Sequence, residues 1–407
     1  MSDELTADDV RDFDLRRLPA GFYDDPFPWY RALRRFDPMH RCPDGSLLLT
    51  RYADCAAVYR DPRFLSDKRR LFKPLFGDGA LYQHHTTSLV FNDPPYHTRV
   101  RQLLADALKP RTVRAMQPVL EELVARLLEH AAASATGTVD LLEQYAAQIP
   151  LEVIGNLLTV PRDERGPLRG WSLSILGALE ADLSAQAREA GNRAVEEFCT
   201  YLRDLIRRRR QSGQGDDTDI LSVLIASHDR GELSEPELLH NCIFLLNAGH
   251  ETTTNLIGNG VDELLRHPAQ LDSLRRNPDS IKSAVEEILR FQSPNQIGNR
   301  EVGESLEFNG MKLERGMQIV LCIGAANRDP ERYENPEAFD ITRHPNPHLA
   351  FVTGPHSCIG MTLARLEGQI ALKALFDRFP AIKLVGTAPR QHRGRFRGFS
   401  RLPVRLQ

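Results

Sequence analysis

Residues 236–266 limit the fold more than any other part of the chain. Ser234 is suited to cap a helix, Pro236 falls in its first turn and Glu237 completes a capping box. Apolar residues then recur at helical spacing to about Arg266, just before Pro268. At 1.5 Å per residue this is a rod of roughly 45 Å. Its flanks are apolar, as in Ile243-Phe244-Leu245-Leu246, so it is expected to cross a core.

The middle of the rod reads Ala248-Gly249-His250-Glu251-Thr252-Thr253-Thr254. Glycine and three successive β-branched threonines are poor helix formers. A glutamate is costly to bury there unless it is paired. Local preference and global role disagree at this point, which marks a candidate functional site. A solvent-filled groove with a local bend is the plainer alternative.

Helical periodicity dominates the remainder, at 28–35, 96–108, 112–132, 141–158, 186–210, 281–290 and 361–379. Strand-like runs are few and short: 47–52, 305–308, 318–322 and 382–385. The expectation is a mainly α protein with a small β region. The 407 residues contain no linker or repeat that would divide them, so 1–407 reads as one domain, and the polar stretch 211–219 reads as a loop. A net charge of −3 gives no support for a nucleic-acid partner. The run Arg207-Arg208-Arg209-Arg210 closes a helical pattern, where the helix dipole favours cations. A charged N-terminus and the lack of a long apolar run argue against a signal peptide and a membrane anchor. Cys42, Cys55, Cys199, Cys242, Cys322 and Cys358 are scattered, with no CxxC pair. That is a reduced, intracellular pattern, and a cytoplasmic location follows.

A second anomaly is Phe351-Val352-Thr353-Gly354-Pro355-His356-Ser357-Cys358-Ile359-Gly360, with a helix expected from Met361. A cysteine just ahead of a helix start faces amides that favour an anion, which is expected to lower its thiol pKa. Most lone cysteines are only small buried hydrophobes. Here F-x-x-G-x-H-x-C-x-G resembles the haem-ligand loop of the cytochrome P-450 family. Three further matches follow the family's order. Ala248-Gly249-x-Glu251-Thr252-Thr253 is similar to the oxygen-binding segment of its long central helix. Glu287-x-x-Arg290, with Phe339-Asp340-x-x-Arg343, resembles its structural ExxR triad. Asn92-Asp93-Pro94-Pro95-Tyr96-His97-Thr98-Arg99-Val100-Arg101 resembles the start of its third helix. The likeness runs from about Pro26 to Val404, nearest to soluble bacterial members.

The resemblance implies a P-450 fold, with haem b between the long central helix and the helix that follows the cysteine loop. It implies Cys358 as thiolate ligand of the iron, shielded by Phe351, with Gly360 allowing close approach. A thiolate ligand favours O–O cleavage. His97, Arg101, Arg300 and His356 are implied as partners of the two haem propionates; His97 and Arg101 are i,i+4 and share one helix face. Glu251 and Thr252 match the family's acid–alcohol pair for proton delivery. Glu287, Arg290 and Arg343 are structural. Val352 departs from the glycine that many relatives carry, and a β-branched residue does not take positive φ cheaply.

The implied activity is an O2- and NAD(P)H-dependent monooxygenase. No reductase is fused, so electrons are expected from a ferredoxin and a ferredoxin reductase, docking on a patch that includes Arg111, Arg114 and Arg365. A peroxide-using peroxygenase is the alternative, disfavoured by the acid–alcohol pair; a non-catalytic haem sensor or carrier is another. The substrate is expected to be a small apolar molecule with a carboxylate or carbonyl handle, such as a terpenoid or fatty acid. The covering loop 64–91 contains Arg69, Arg70, Phe72, Lys73, Phe76, His84 and His85. Family alignment adds Asn295, Gln296, Ile297 and Phe399 to the pocket.

Overall fold

The helix Glu235–Arg266, 32 residues long, runs through the centre of the computed structural model, which describes residues 4–133, 137–212 and 219–406. Its expected cap forms. Ser234 N donates to Glu237 Oε2 at 2.6 Å, and Glu237 N donates to Ser234 Oγ at 3.4 Å. The Gly-Thr segment does not interrupt it. Thr252 Oγ1 donates to Ala248 O and Thr254 Oγ1 to His250 O, so both hydroxyls are absorbed within the helix. Gly249 has a packing reason: a Cβ there would lie 2.7 Å from Ile154 Cδ1 of the neighbouring helix Gln148–Leu157.

Around this rod pack helices Gln148–Leu157, Leu168–Gly177, Ala185–Ser212 and Met361–Arg378, joined in one large apolar core. The expected helix 112–132 is two helices, Pro110–Ala115 and Gln117–Ala133. Pro118 cannot donate backward and sits in the first turn of the second one. The expected helix 141–158 begins as a π-helical turn, Leu142–Ala146, and becomes α-helical at Gln148. The loop 64–91 is largely helical, with Arg69–Phe76 and Ala80–Thr87. Each spans about two turns, too short for periodicity to show. Of the polar stretch 211–219, residues 213–218 lie outside those described. Arg207, Arg208, Arg209 and Arg210 are paired with Asp204, Glu164, Asp219 and Asp229 in turn, which leaves no basic patch.

The small β region is a five-stranded sheet in the order Met39–Arg41, Leu47–Leu49, Gln318–Cys322, Ile297–Val302, Phe64–Leu65. Neighbours are antiparallel except Leu47–Leu49 with Gln318–Cys322. The longest strand, Ile297–Val302, was not expected from the sequence, and it carries Arg300 opposite Ile319.

Glu287 and Arg290, both without exposed surface, form a bidentate pair at 2.7 Å. Arg343 Nε lies 3.3 Å from the same carboxylate. Arg290 also donates to the carbonyls of Asn327, Pro336 and Ala338, tying the segment ahead of the cysteine loop to the core. All six cysteines are free, and five are buried. Among the described residues, no helix is long and apolar enough to cross a membrane, and no acidic, His and Cys cluster is arranged to hold a metal ion.

Candidate active site

A cavity of about 340 Å³ lies between the long helix and the cysteine loop. The loop is held by its backbone: Val352 N donates to Leu349 O at 2.8 Å and Cys358 N to Phe351 O at 3.0 Å. Gly354, at φ +79°, lets the loop pass the strand-side helix, since a Cβ there would sit 2.5 Å from Tyr59 O. Val352 takes φ +58°, the left-handed conformation that a β-branched side chain resists. Two of the loop's hydrogen bonds start from its ends, so the turn imposes that strain on Val352.

Cys358, Thr252, His97, Arg101, Arg300 and His356 all line this cavity. Glu251 does not. It is buried on the opposite side of the helix turn, where its Oε1 pairs with Arg393 Nη1 at 2.5 Å and its Oε2 has no partner. Burial raises the Glu251 pKa, with Arg393 pulling the other way. Arg393 was not read from the sequence; its only local signal is a C-terminal segment dense in arginine.

The thiol of Cys358 departs from expectation. Burial pushes its pKa up, against the Gly360 amide and the charges of Arg101 and Arg365. The helix start alone therefore does not secure a thiolate; a bound metal cation would supply the missing stabilisation. Close approach at Gly360 is also not demanded by the sulfur, because a Cβ there would lie an ordinary 3.9 Å from Sγ.

The four nitrogen-bearing side chains form one cluster. His97 and His356 lie in contact, tilted, with ring centroids 3.9 Å apart, Arg101 donates to Ser357 Oγ at 3.2 Å, and the Arg300 guanidinium lies 4.9 Å from the Tyr59 ring centre. Burial holds His97 down at about 4, with His356 and Arg101 adding to the shift, and lowers Arg101, His356 and Arg300 as well. Lys68, fully buried behind Arg300 and without a hydrogen-bond partner, is pulled to about 7. Asp93 beside His356 is held at about 2: burial pushes it up, but His356 and the amides of Ser66 and Asp67 outweigh that. Cationic groups forced toward their neutral forms in an apolar wall mark a place that lacks an anion. The Tyr59 hydroxyl, buried and unpartnered on the same wall, adds an unused donor. A flat, largely apolar group with two carboxylates fits this arrangement, and haem is such a group.

The pocket residues expected from alignment are only partly in place. His84, His85 and Asn295 line the cavity. Gln296, Ile297 and Phe399 do not: Gly298 and Asn299 line it instead, and Phe396 replaces Phe399, which packs in the core under Arg390. Arg69, Arg70 and Lys73 also stay off the cavity, paired with Asp67, Glu301 and Asp78. Arg111 and Arg114 are exposed, whereas Arg365 is bound bidentately to Glu286 and lies over the Phe351 ring.

The cytochrome P450 family model matches residues 179–407. The vitamin D(3) 25-hydroxylase of Pseudonocardia autotrophica is 39% identical over 410 residues, covering 99% of this chain and 98% of that protein. This chain belongs to the cytochrome P450 family. The biotin biosynthesis cytochrome P450 of Bacillus subtilis (strain 168) is 36% identical over 400 residues, covering 95% of this chain and 97% of that one. The crystal structure of CalO2 superposes with a TM-score of 0.90 at 35% identity, covering 98% of this chain and 99% of that one. The P450 fold and the haem-iron cofactor of the family therefore extend to this chain, as does oxidoreductase chemistry on small molecules.

Proposed function

We propose that residues 1–407 form a single haem domain that inserts one oxygen atom from O2 into a small apolar molecule. Electrons come from NAD(P)H through a separate ferredoxin and ferredoxin reductase, and the protein works in the cytoplasm. When bound, haem b supplies the iron chemistry of O2 activation and oxygen transfer. The observation that carries this reading is that one cavity joins Cys358, the four-residue cationic cluster and Thr252. Cys358 holds the iron. His97, Arg101, Arg300 and His356 hold the two carboxylates, and neutralising them relieves the mutual repulsion of the cluster.

Thr252 keeps its hydroxyl on the cavity wall, donating to Ala248 O. Its lone pairs remain free to accept from a water beside the helix. Glu251 lies behind it, ion-paired with the partly exposed Arg393, and helps pass protons in from that side. The apolar walls around Leu245, Leu289 and Phe396 exclude bulk water and hold the substrate.

The test is turnover with a surrogate ferredoxin, its reductase and NADPH. Thr252→Ala is expected to keep electron consumption and lose product, and tight coupling in that variant would sink the proton-delivery role. Cys358→Ser is expected to remove the thiolate signature from the reduced carbonyl spectrum; an unchanged spectrum would reject Cys358 as ligand.

A further inference from the structure

One arginine on the cavity wall is left over once the cofactor cluster is set aside. Arg395 lies in the C-terminal segment beside Phe396, and both line the cavity. Two of its nitrogens are fixed by backbone. Nε donates to Leu179 O at 3.3 Å, just past helix Leu168–Gly177, and Nη1 donates to Ile297 O at 3.1 Å, at the start of strand Ile297–Val302. Nη2 has no hydrogen-bond partner among the described residues, and unlike the sealed polar atoms of Tyr59, His84 and His85 it keeps accessible surface. Arg395 stands apart from the cofactor cluster. Ile297, which anchors it, and Arg300 are separated by about 10 Å of extended strand. The two guanidiniums do not perturb each other: Arg395 feels Glu180 and Tyr59, whereas Arg300 feels Tyr59 and Asp93.

The charge of Arg395 is also unanswered. Glu180 is the acid that acts on it, yet neither carboxylate oxygen meets the guanidinium. Oε2 accepts from the amides of Gly394 at 2.9 Å and Arg395 at 3.1 Å, and Oε1 has no partner. Burial raises the Glu180 pKa, which weakens it as a counter-ion, and burial lowers that of Arg395. The neighbouring arginines of the same segment are better satisfied. Arg393 pairs with Glu251 and donates to Leu173 O, while Arg397 donates to Gln292 Oε1, Tyr23 O and Asp24 O. Those two hold the fold; Arg395 keeps one end of its fork open.

The open end selects its complement. A neutral carbonyl would meet Nη2 and leave the charge unbalanced. A carboxylate meets both needs through charge-assisted hydrogen bonds. A phosphate monoester carries nearly two charges, more than one guanidinium beside Glu180 balances. We propose that Arg395 anchors a carboxylate, so that the substrate is an otherwise apolar acid held by its anionic end, with its hydrocarbon against Leu176, Leu179, Leu245 and Phe396. This rests on the monooxygenase reading and names its substrate class.

The experiment is a spin-state titration of the haem-loaded protein at neutral pH with decanoic acid, methyl decanoate and 1-decanol. The ionised acid is expected to bind about tenfold more tightly than the ester or the alcohol, the net worth of a hydrogen bond to a charged group. Arg395→Met is expected to erase that preference, weakening the acid about tenfold and leaving ester and alcohol within about threefold of the parent, with the reduced carbonyl spectrum unchanged. Arg395→Lys retains the cation and is expected to keep the acid ahead of the ester by about threefold. The proposal is overturned if ester or alcohol binds as tightly as the acid, if none of the three shifts the spin state, or if Arg395→Met keeps the preference. It is equally overturned if Arg395→Lys is as indifferent as Arg395→Met, since the charge then plays no part. Absence of a thiolate carbonyl spectrum in the unmutated protein would reject the monooxygenase reading instead, so the two failures are distinguishable.

Discussion

Glu367 allows a quantitative test of the electrostatics around the cysteine loop. It lies on helix Met361–Arg378, lines the cavity and is 3% exposed, with Oε2 unpartnered. Burial alone raises its pKa from 4.5 to about 8. Between those values the folded protein holds a proton that the unfolded chain has released, so stability falls as pH rises. The slope is about 1.4 kcal/mol per pH unit, and the accumulated penalty is about 3 kcal/mol at pH 7. Below pH 4.5 both states are protonated and the penalty vanishes; above about 8 both are ionised and it levels off. Glu367→Gln keeps the shape and removes the titration. Urea unfolding of the haem-loaded protein, followed by circular dichroism between pH 5 and 8, should show the variant gaining on the parent along that slope. A stability difference independent of pH would refute the assignment of Glu367 as an unpaired buried carboxyl.

Four other outcomes follow from the same structure. Val352→Gly removes a left-handed β-branched residue worth about 1–3 kcal/mol of strain and adds about 1 kcal/mol of unfolded-chain freedom. The side chain also packs against the β-side core, worth about 1 kcal/mol for a half-buried valine. The variant should therefore lie within about 1 kcal/mol of the parent in a urea melt, and a loss beyond about 2 kcal/mol would contradict the strain. Arg290→Met leaves Glu287 short of its bidentate partner at zero exposure, and is expected to cost about 3–5 kcal/mol in the same assay. Arg393→Met lets the Glu251 pKa rise further. Its stability loss at pH 7 is capped at about 3.4 kcal/mol, the cost of protonating a carboxyl of ordinary pKa, and should shrink as pH falls toward 4.5. Reversing Arg111 and Arg114 to glutamate should raise the ferredoxin KM and leave decanol binding unchanged; an unaltered KM would remove that surface from the docking patch.

What could be read in the chain was what local chemistry writes into neighbouring residues. The capping box at Ser234 and Glu237 forms as expected, and the rod it starts spans the core. The ExxR pair and Arg343 meet at a buried carboxylate, although 53 residues separate Arg290 from Arg343. What could not be read depends on packing. Arg393 reaches Glu251 across 142 residues with no motif to announce it. Strand Ile297–Val302 is legible only from its partner Gln318–Cys322, because its polar Asn299, Arg300 and Glu301 hide the alternation. The Cys358 thiol shifted opposite to expectation because the sequence shows a helix start but not the burial that outweighs it.

The same balance of burial against charge makes cofactor and fold interdependent. His97 at about 4 and Lys68 at about 7 are held toward neutrality by burial and by neighbouring cations. For His97 the unfolded chain takes up a proton below 6.5 that the folded protein refuses until about 4, so stability is lost as pH falls through that window. Two carboxylates placed among His97, Arg101, Arg300 and His356 would restore the charged forms and remove the loss. The protein that carries its cofactor should thus resist acid better than the bare chain. The excess arises where binding energy and relief of repulsion act on the same side chains.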